Sequence, residues 1–317
     1  MPPRAPKLLE GALYSNMLRI RMIEEKIAEL YSEQEMRCPV HLSVGQEGVA
    51  VGVCAALGKQ DTVMSGHRAH AHYLAKGGSL KRMIAEIYGK STGSSGGRGG
   101  SMHLIDLEAN FLGSTPIVGG TIPIVVGVAW ANKMKNQKGV STLFHGEAAM
   151  EEGVWHEAMN FAALHELSVL FVCENNLYSV YTPLEQRQPK RSRVNLARAH
   201  GWYGDTGNGN KPLEVYRKTA KALAHIRAGK GPAFLEFDTY RWREHCGPNY
   251  DNALGYRTEE EFSIWQERDP LKHAAKFIDE NAARKAINRE ISEAFEFAKQ
   301  SPFAKKSDIS VKNAYAP

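Results

Sequence analysis

Leu167-Ser-Val-Leu-Phe-Val-Cys173 is a short, strongly apolar run, typical of a strand buried on both faces of a parallel sheet. Residues 140–144 form a second strand-like run, and residues 153–165, between the two, have helical spacing. Farther along the chain, residues 212–228 have the pattern of a helix and residues 233–239 that of another strand. This alternation of strands and helices predicts an α/β fold with a mostly parallel sheet flanked by helices.

The segments on either side of this alternating region are helical. Residues 8–33 carry apolar side chains at every third or fourth position, and residues 79–88 form a helix that Gly89 ends. Residues 259–300 are charged and helical, with a break at Asp269-Pro270. The chain has no internal repeat and no clear linker. We therefore expect a single domain over residues 1–317, with helical N- and C-terminal extensions and a flexible tail from about residue 303.

Composition limits the classes of function. The chain has 317 residues, 43% of them hydrophobic and 24% charged, and these values exclude a largely disordered protein. The net charge of +5 is too small to indicate a nucleic-acid partner by itself. The longest apolar stretch, residues 122–131, is about half of the ~20 residues that a membrane span needs. Because the start shows no secretory signal and the scattered cysteines form no CxxC, we expect a cytoplasmic protein that binds neither nucleic acid nor membrane.

Two of the predicted strands end in chemically useful side chains. Residues 144–153 read Phe-His-Gly-Glu-Ala-Ala-Met-Glu-Glu-Gly, and residues 173–178 read Cys-Glu-Asn-Asn-Leu-Tyr. Ligands of open α/β sheets bind beyond the carboxyl ends of the strands. A carboxylate and an amide oxygen suit Mg²⁺, while Ala148 and Ala149, opening the next helix, would offer free N–H groups to a phosphate. The pattern therefore predicts a site for a phosphorylated ligand and a magnesium ion.

The spacing from residue 146 to residue 178 resembles the thiamine-diphosphate motif, in which GDG is followed at a distance by NN. The surroundings, from about residue 18 to residue 240, resemble the alpha subunit of the decarboxylating dehydrogenase component of 2-oxo acid dehydrogenase complexes, of the pyruvate, branched-chain and acetoin types. The motifs that carry this resemblance are His41-Leu-Ser-Val-Gly-Gln-Glu, His67-Arg-Ala-His, Gly99-Gly-Ser-Met-His, Ile117-Val-Gly-Gly, Gly146-Glu-Ala-Ala and Cys173-Glu-Asn-Asn. Their occurrence together and in this order makes the resemblance specific.

The resemblance implies which residues hold the cofactor. The magnesium ligands would be Glu147, Asn176 and the Tyr178 carbonyl. The backbone N–H groups of Ala148 and Ala149 would bind the diphosphate, and Arg68 would pair with it. His67, which stands where the family usually has Tyr, would also contact the diphosphate.

The resemblance further implies the residues around the reacting groups. Val118 would present its backbone to the aminopyrimidine ring. His245 would contact the diphosphate and lie near the reacting carbon, and His41 would face the substrate. His103 is a further candidate for the same pocket, so the catalytic candidates are His245, His41 and His103.

Three positions depart from the family's usual residues. Glu147 stands where the family usually has Asp, and its carboxylate reaches farther by about 1.5 Å, one carbon–carbon bond. The loop is therefore shifted, or Glu147 binds the metal through water, or the metal site is weak. Ala148 replaces a usual Gly, which is harmless unless its φ is positive. Pro116, also in place of Gly, would stiffen the wall beside the aminopyrimidine.

Four local patterns admit more than one interpretation. His67, His70 and His72 could bind a metal, contact the diphosphate or simply pack. The glycine loop, residues 93–100, could cradle a phosphate but lacks the Lys of a P-loop, so a flexible active-site or interface loop is favoured. Residues 204–209 imitate a dinucleotide fingerprint, but a surface turn is favoured. Glu151 and Glu152 suit the first turn of a helix better than catalysis.

The resemblance implies an enzyme that decarboxylates a small-molecule 2-oxo acid with thiamine diphosphate and Mg²⁺ and passes the acyl group to lipoamide or another acceptor. In two-subunit members the Glu that activates the cofactor belongs to a beta subunit, which implies an α₂β₂ heterotetramer; a lipoyl acyltransferase core is a further candidate partner. The small-residue segment 119–129 could pack at the subunit interface. Two alternatives stay open: a thiamine-diphosphate-dependent carboligase or transketolase-like transferase in sugar or secondary metabolism, and a non-catalytic subunit.

Overall fold

The computed structural model describes residues 6–306. The helices are α1 (Pro6–Leu30), α2 (Glu47–Ala56), α3 (His70–Lys76), α4 (Leu80–Ile87), α5 (Thr121–Met134), α6 (Gly153–Leu164), α7 (Arg193–Ala199), α8 (Pro212–Arg227), α9 (Glu259–Glu267) and α10 (Glu280–Gln300). The strands are β1 (Thr62–Ser65), β2 (Phe111–Ser114), β3 (Ser141–Gly146), β4 (Val169–Asn175), β5 (Tyr178–Ser179), β6 (Thr182–Pro183), β7 (Tyr203–Asn208) and β8 (Ala233–Asp238). Within the described residues, no helix combines the length and the apolar character that a membrane crossing requires.

A six-stranded sheet in the order β2-β1-β3-β4-β8-β7 organises the fold, and every neighbouring pair in it is parallel. This confirms the predicted α/β fold with a mostly parallel sheet. Strands β5 and β6 form a separate antiparallel hairpin. From β1 the chain goes to the edge strand β2 on one side and then to β3 on the other side. The carboxyl ends of β1 and β3 therefore flank the switch point at which ligands of open α/β sheets bind.

Helices cover both faces of the sheet and enclose two apolar cores. One core contains buried side chains of α1, α2, α3, α4, α8 and α10, and the other contains those of α5, α6 and α7. The packing of α2 requires glycine, because a Cβ on Gly48 would lie 2.3 Å from the Gly209 carbonyl oxygen and one on Gly52 would lie 2.6 Å from Val215 Cβ. Helix α2 can therefore approach α8 more closely than larger residues would permit.

The two edge strands were not predicted. Residues 204–209 are not the surface turn that the pattern favoured, since all but the last belong to β7, which pairs in parallel with β8. Its sequence, Tyr-Gly-Asp-Thr-Gly-Asn, lacks apolar alternation because only one of its sides is hydrogen-bonded and its side chains are mostly part-exposed. The helix α7 was also missed. The predicted break near Asp269-Pro270 is present, between α9 and α10.

The chain remains anchored just after α10. The backbone N–H of Ser91 donates to the Pro302 carbonyl at 2.9 Å, and Phe303 forms an antiparallel bridge with Lys90. The Lys90 ammonium lies 3.7 Å from the centre of the Phe303 ring. The flexible tail was expected from about residue 303; its first residue is held in this way, and residues 307–317 lie outside the described residues.

Candidate cofactor site

A cavity of about 340 Å³ opens at the carboxyl ends of β1, β3 and β4. Ser65 and the turn after β1 form one wall, the end of β3 and the segment after it form the floor, and residues 174–180 form the opposite wall. The cavity thus lies at the switch point of the sheet, where the sequence predicted a ligand.

The cavity brings together every candidate site residue except His103. Its lining includes His41, His67, Arg68, Val118, Glu147, Ala148, Ala149, Asn176, Tyr178 and His245. His103 is exposed, and its Nδ1 lies 2.9 Å from the Gly99 carbonyl oxygen. Its neighbour Met102 lines the cavity instead. The motif around His103 reaches the cavity, but the imidazole itself is not part of the wall.

Glu147 is buried and already has a cationic partner. The Arg187 Nη2 donates to Glu147 Oε1 at 2.5 Å, and the two side chains are only 11% and 2% exposed. Burial raises the pKa of the Glu147 carboxyl, and the Arg187 guanidinium opposes that rise. The carboxylate at the predicted magnesium position therefore belongs to an ion pair.

Asn176 and Tyr178 share a tight turn at the end of β4. The Tyr178 N–H donates to Asn176 Oδ1 at 3.2 Å, and Asn176 Nδ2 donates to Gln46 Oε1 at 3.2 Å. Between them, Leu177 has a φ of 73°, in the left-handed region. Asn176 and Tyr178 line the cavity together with Glu174.

The segment after β3 differs from the predicted helix start. Residues Glu147–Glu151 form a 3₁₀ turn, and α6 begins only at Gly153. Ala148 is not among the residues with positive φ, so alanine fits where the family usually has glycine. Glu151 ends the 3₁₀ turn and so does not lie in the first turn of α6, and its Oε1 accepts from Arg187 Nη1 and Gln188 Nε2.

Arg68 is a buried cation on the cavity wall. Its Nη1 donates to the Leu42 carbonyl at 2.7 Å and its Nη2 to the His245 carbonyl at 3.1 Å. Burial, and after it the nearby Arg241, lower the pKa of Arg68 to about 9. Among residues 6–306, no carboxylate lies within salt-bridge distance of Arg68. A buried guanidinium that faces a cavity without such a partner is well suited to an anionic ligand.

His41, His67 and His245 form a histidine cluster at the same wall. Their ring centres are 4.8–5.3 Å apart in edge-to-face contact. Burial and then the charge of Arg68 lower the pKa of His41 to about 2, of His67 to about 4 and of His245 to about 3. All three imidazoles are therefore neutral near pH 7, and each can donate one hydrogen bond and accept another at its ring nitrogens.

The other two histidines of the 67–72 segment do not join this cluster. His70 is fully buried, with Nδ1 2.7 Å from Glu24 Oε1 and Nε2 2.7 Å from Ser101 Oγ. His72 stacks on Phe144, with ring centres 3.9 Å apart. The interpretation that His67, His70 and His72 bind one metal ion together is therefore wrong. His67 lines the cavity, His70 is a packed core residue, and His72 lies between the cavity and the core.

The glycine loop does not cradle a phosphate, because a buried carboxylate already takes its donors. The backbone N–H groups of residues 95, 97, 99 and 100 donate to Glu86 at 2.7–3.1 Å. A Cβ on Gly93 would lie 2.4 Å from Glu86 Oε2, so the loop can wrap the carboxylate only with glycine there. The loop is thus bound to α4 through the Glu86 carboxylate.

Four side chains at the site were missed as candidates. Gln46 and Glu174 line the cavity. Arg187 donates to the Glu147 carboxylate, and Gln188 donates to the Glu147 backbone carbonyl. Gln46 lies inside the His41–Glu47 motif and Glu174 directly precedes Asn175-Asn176, so their positions gave a usable signal. Arg187 and Gln188 lie outside every recognised motif, and only the fold brings them to Glu147.

Comparison with known proteins assigns a family to this arrangement. The model of the family described as "Dehydrogenase E1 component" matches residues 15–307. The alpha subunit of acetoin:2,6-dichlorophenolindophenol oxidoreductase from Bacillus subtilis (strain 168) is 39% identical over 305 residues, covering 94% of this chain and 91% of the relative. The alpha subunit of the pyruvate dehydrogenase E1 component from Zymomonas mobilis is 35% identical over 313 residues, covering 96% and 87%. The corresponding subunit from Rickettsia bellii is 33% identical over 305 residues, covering 93% of both chains.

Proposed function

This chain belongs to the dehydrogenase E1 component family as the alpha subunit of a thiamine-diphosphate-dependent 2-oxo acid dehydrogenase, and we propose that the cavity described above holds the cofactor's diphosphate and a magnesium ion. The enzyme decarboxylates a 2-oxo acid and passes the acyl group to lipoamide or another acceptor. Similar relatives bear the names of both acetoin and pyruvate enzymes, so the substrate is proposed as a class, the 2-oxo acids.

We assign the diphosphate to Arg68 on the cavity wall. Arg68 is 8% exposed and lines the cavity, and its guanidinium donates to two carbonyl oxygens. Glu174 and Glu24 act on Arg68 only from beyond salt-bridge distance, so an anion bound against the guanidinium would give it a direct ionic partner. We assign the backbone of Ala148 and Ala149, together with His67 and His245, to the same group, since all four line this cavity.

The residues at the predicted magnesium position fit a hard cation by their donor chemistry. Glu147, Asn176 and Tyr178 line one cavity, and a carboxylate, an amide oxygen and a backbone carbonyl are donor types that Mg²⁺ prefers. These three would hold Mg²⁺, which would neutralise part of the diphosphate charge. The ion pair between Glu147 and Arg187 engages one carboxylate oxygen and leaves the other for a metal ion.

Thiamine diphosphate, when bound, supplies an electron sink for the carbanion that decarboxylation creates. The chain's own contribution is to orient reactants and to move protons. We propose that His41 and His245 act at the reacting centre, because both line the cavity and their neutral rings can donate or accept a hydrogen bond there. Val118 would support the aminopyrimidine through its backbone, and His103 could act only if its exposed ring moved into the pocket.

Alpha subunits of this family work with a beta subunit. We propose that the partner here contributes the activating Glu and covers the open side of the cavity within an α₂β₂ heterotetramer. Ile117 and Val118 line the cavity and yet are 70% and 46% exposed, which is costly for large apolar side chains unless a partner covers them. A lipoyl acyltransferase core is proposed as a further partner, and the cytoplasmic location stays a prediction.

The test uses the chain co-expressed with its beta subunit. With thiamine diphosphate and Mg²⁺, the assembled pair is expected to release carbon dioxide from a 2-oxo acid and to reduce an artificial electron acceptor, and the chain alone is expected to do neither. In the pair, Arg68→Met is expected to weaken cofactor binding by about 10–150-fold, the equivalent of about 1.5–3 kcal/mol for a charged hydrogen bond. Arg19→Met, which removes a part-exposed ion pair with Glu290, is the control and should bind the cofactor normally.

Two results would contradict the proposal. A pair that decarboxylates no 2-oxo acid but transfers a ketol or acyl group to a sugar would favour the carboligase or transketolase-like alternative. A pair that does not bind the cofactor at all would favour the non-catalytic subunit. Neither alternative is favoured by the relatives, which are named as oxidoreductase and dehydrogenase subunits.

A further inference from the structure

Arg187 binds two acidic side chains at the predicted metal position. Its Nη2 donates to Glu147 Oε1 at 2.5 Å, and its Nη1 donates to Glu151. Gln188 completes the group, since its Nε2 donates to Glu151 Oε1 at 2.8 Å and to the Glu147 carbonyl at 3.1 Å. Of this group, Glu147 belongs to the motif Gly146-Glu-Ala-Ala, whereas Glu151, Arg187 and Gln188 lie outside the motifs of the resemblance.

Arg187 is fixed in this position by the same loop that carries two of the proposed metal donors. The loop leaves β4 through Asn176 and Tyr178, passes through the β5–β6 hairpin and returns to the site at Arg187. Arg187 Nε donates to the Thr182 carbonyl at 3.2 Å, and the Leu184 N–H donates to the Leu177 carbonyl at 2.8 Å. These contacts hold the guanidinium beside Glu147.

The fixed guanidinium and a metal ion would compete for the charge of Glu147. A carboxylate with no other counter-ion offers its full negative charge to Mg²⁺. Here one oxygen already accepts from a cation at 2.5 Å, and because both side chains are mostly buried their charges are less screened than at the surface. A divalent ion bound by Glu147 would also lie close to the positive charge of Arg187 and be repelled by it.

We propose that Arg187 acts as a built-in counter-cation that weakens divalent-metal binding at Glu147. This inference rests on the proposed function, because it concerns the metal site of that cofactor cavity. Arg187 acts on the metal through Glu147 and is therefore a positioning residue. The longer side chain of Glu147, compared with the family's usual Asp, is what permits the carboxylate to serve the guanidinium and the cavity together.

The experiment measures Mn²⁺ binding by the assembled alpha–beta complex, with free Mn²⁺ detected by electron paramagnetic resonance. Arg187→Gln is expected to tighten Mn²⁺ binding at least tenfold, a gain that a merely damaged site would not produce. Arg191→Gln removes the same charge from an exposed position of the same segment and is expected to leave Mn²⁺ affinity unchanged. Equal or weaker Mn²⁺ binding by Arg187→Gln would overturn the inference.

A second variant keeps the inference testable if Arg187→Gln does not fold. Glu147→Asp retains the charge and withdraws the carboxylate from Arg187 by about 1.5 Å, one carbon–carbon bond, so it is expected to tighten Mn²⁺ binding as well. Unchanged or weaker binding by this variant counts against the inference. Decarboxylation by the unmodified complex is measured separately, so the failure of the proposed function and the failure of this inference give different results.

Discussion

The neutral state of the histidine cluster follows from where its rings lie. Each ring is largely removed from water, and Arg68 places a positive charge beside them. Both effects disfavour an imidazolium ion. His67 contributes to the crowding, because an imidazole replaces the family's usual tyrosine beside His41 and His245. The cluster therefore gives the chain's stability a dependence on pH.

We expect the free energy of unfolding to fall as the pH is lowered from about 6.5 to about 4. The unfolded chain binds a proton at His67 below about pH 6.5, whereas the folded chain does so only below about pH 4, so acid favours the unfolded state. His67→Tyr should reduce this slope by up to about 1.4 kcal/mol per pH unit. Urea denaturation at several pH values measures this pH dependence of the unfolding free energy. Exposed His273→Tyr is the control and should leave the slope unchanged. An unchanged slope in His67→Tyr would contradict this account.

Val180 holds an unfavourable backbone conformation at the edge of the site. Its φ is 53°, which β-branched residues rarely adopt, and its carbonyl accepts from Arg241 Nη2 at 2.9 Å. Val180→Asn should raise the free energy of unfolding by about 1 kcal/mol, because Asn tolerates this region. Val180→Thr, which keeps the branched Cβ, should show no gain in denaturant titrations. Equal stability of all three proteins would argue against strain at this position.

At the scale of single residues, the sequence predicted those site residues that lie close along the chain to a recognisable element or motif. The sequence predicts Glu147 and Asn176 at one site because each lies three residues beyond the end of a predicted strand, and the structure brings both to one cavity. The ion pair between Glu147 and Arg187 could not be predicted, since its partners are separated by 40 positions and meet only through the path of the β5–β6 hairpin. The position of the His103 ring could not be predicted either. Its motif reaches the cavity through Met102, but the ring itself turns to the Gly99 carbonyl.

At the scale of elements, the glycine loop depends on a single carboxylate of α4. Glu86→Gln would replace one of two accepting oxygens by an amide nitrogen, so part of the four N–H donors would lose their acceptor. We expect a loss of about 2–4 kcal/mol in unfolding free energy, from one or two charged hydrogen bonds, and faster amide hydrogen exchange in residues 93–100. Exposed Glu293→Gln is the control and should change stability by less than about 0.5 kcal/mol. Slow exchange retained in Glu86→Gln would refute the dependence.

The elements that the sequence revealed are those with a simple periodicity. Strand β4 is buried along its whole length, so its apolar run was unmistakable. Strands β2 and β7 lie at the edges, and each contains glycine and polar residues that conceal a strand. Pairing with a neighbour in the sheet, rather than local propensity, determines their conformation.

At the scale of the whole molecule, one side of the chain has an apolar face built on α5 and α6. Ile124, Phe161 and Leu164 are 51%, 39% and 74% exposed. A groove lined by Pro123, Val126, Gly127, Trp130, Val154, Glu157, Ala158 and Phe161 runs between the two helices. A Cβ on Gly127 would meet nothing within 4 Å, so the helix surface there is open. The small-residue segment predicted for a subunit interface thus exposes part of its surface.

Ile124→Asp is expected to weaken assembly with the beta subunit by about 100-fold, the equivalent of about 2.7 kcal/mol for placing a charge at an apolar contact. Titration calorimetry or analytical ultracentrifugation measures it. Leu8→Asp is the matched control, because Leu8 is 69% exposed on α1, at the opposite side of the sheet, and the change should leave assembly intact. Normal assembly of Ile124→Asp would exclude α5 from the interface.

The apolar face also sets a condition on synthesis in the cell. A chain released from the ribosome before its beta subunit is available carries large side chains such as Leu164 and Ile117 in water. Such surfaces promote self-association and attract chaperones and proteases. Surplus copies would therefore be cleared, and the yield of complex would follow the scarcer of the two subunits. Balanced translation of the two messages, rather than strong expression of either, would determine how much enzyme the cell holds.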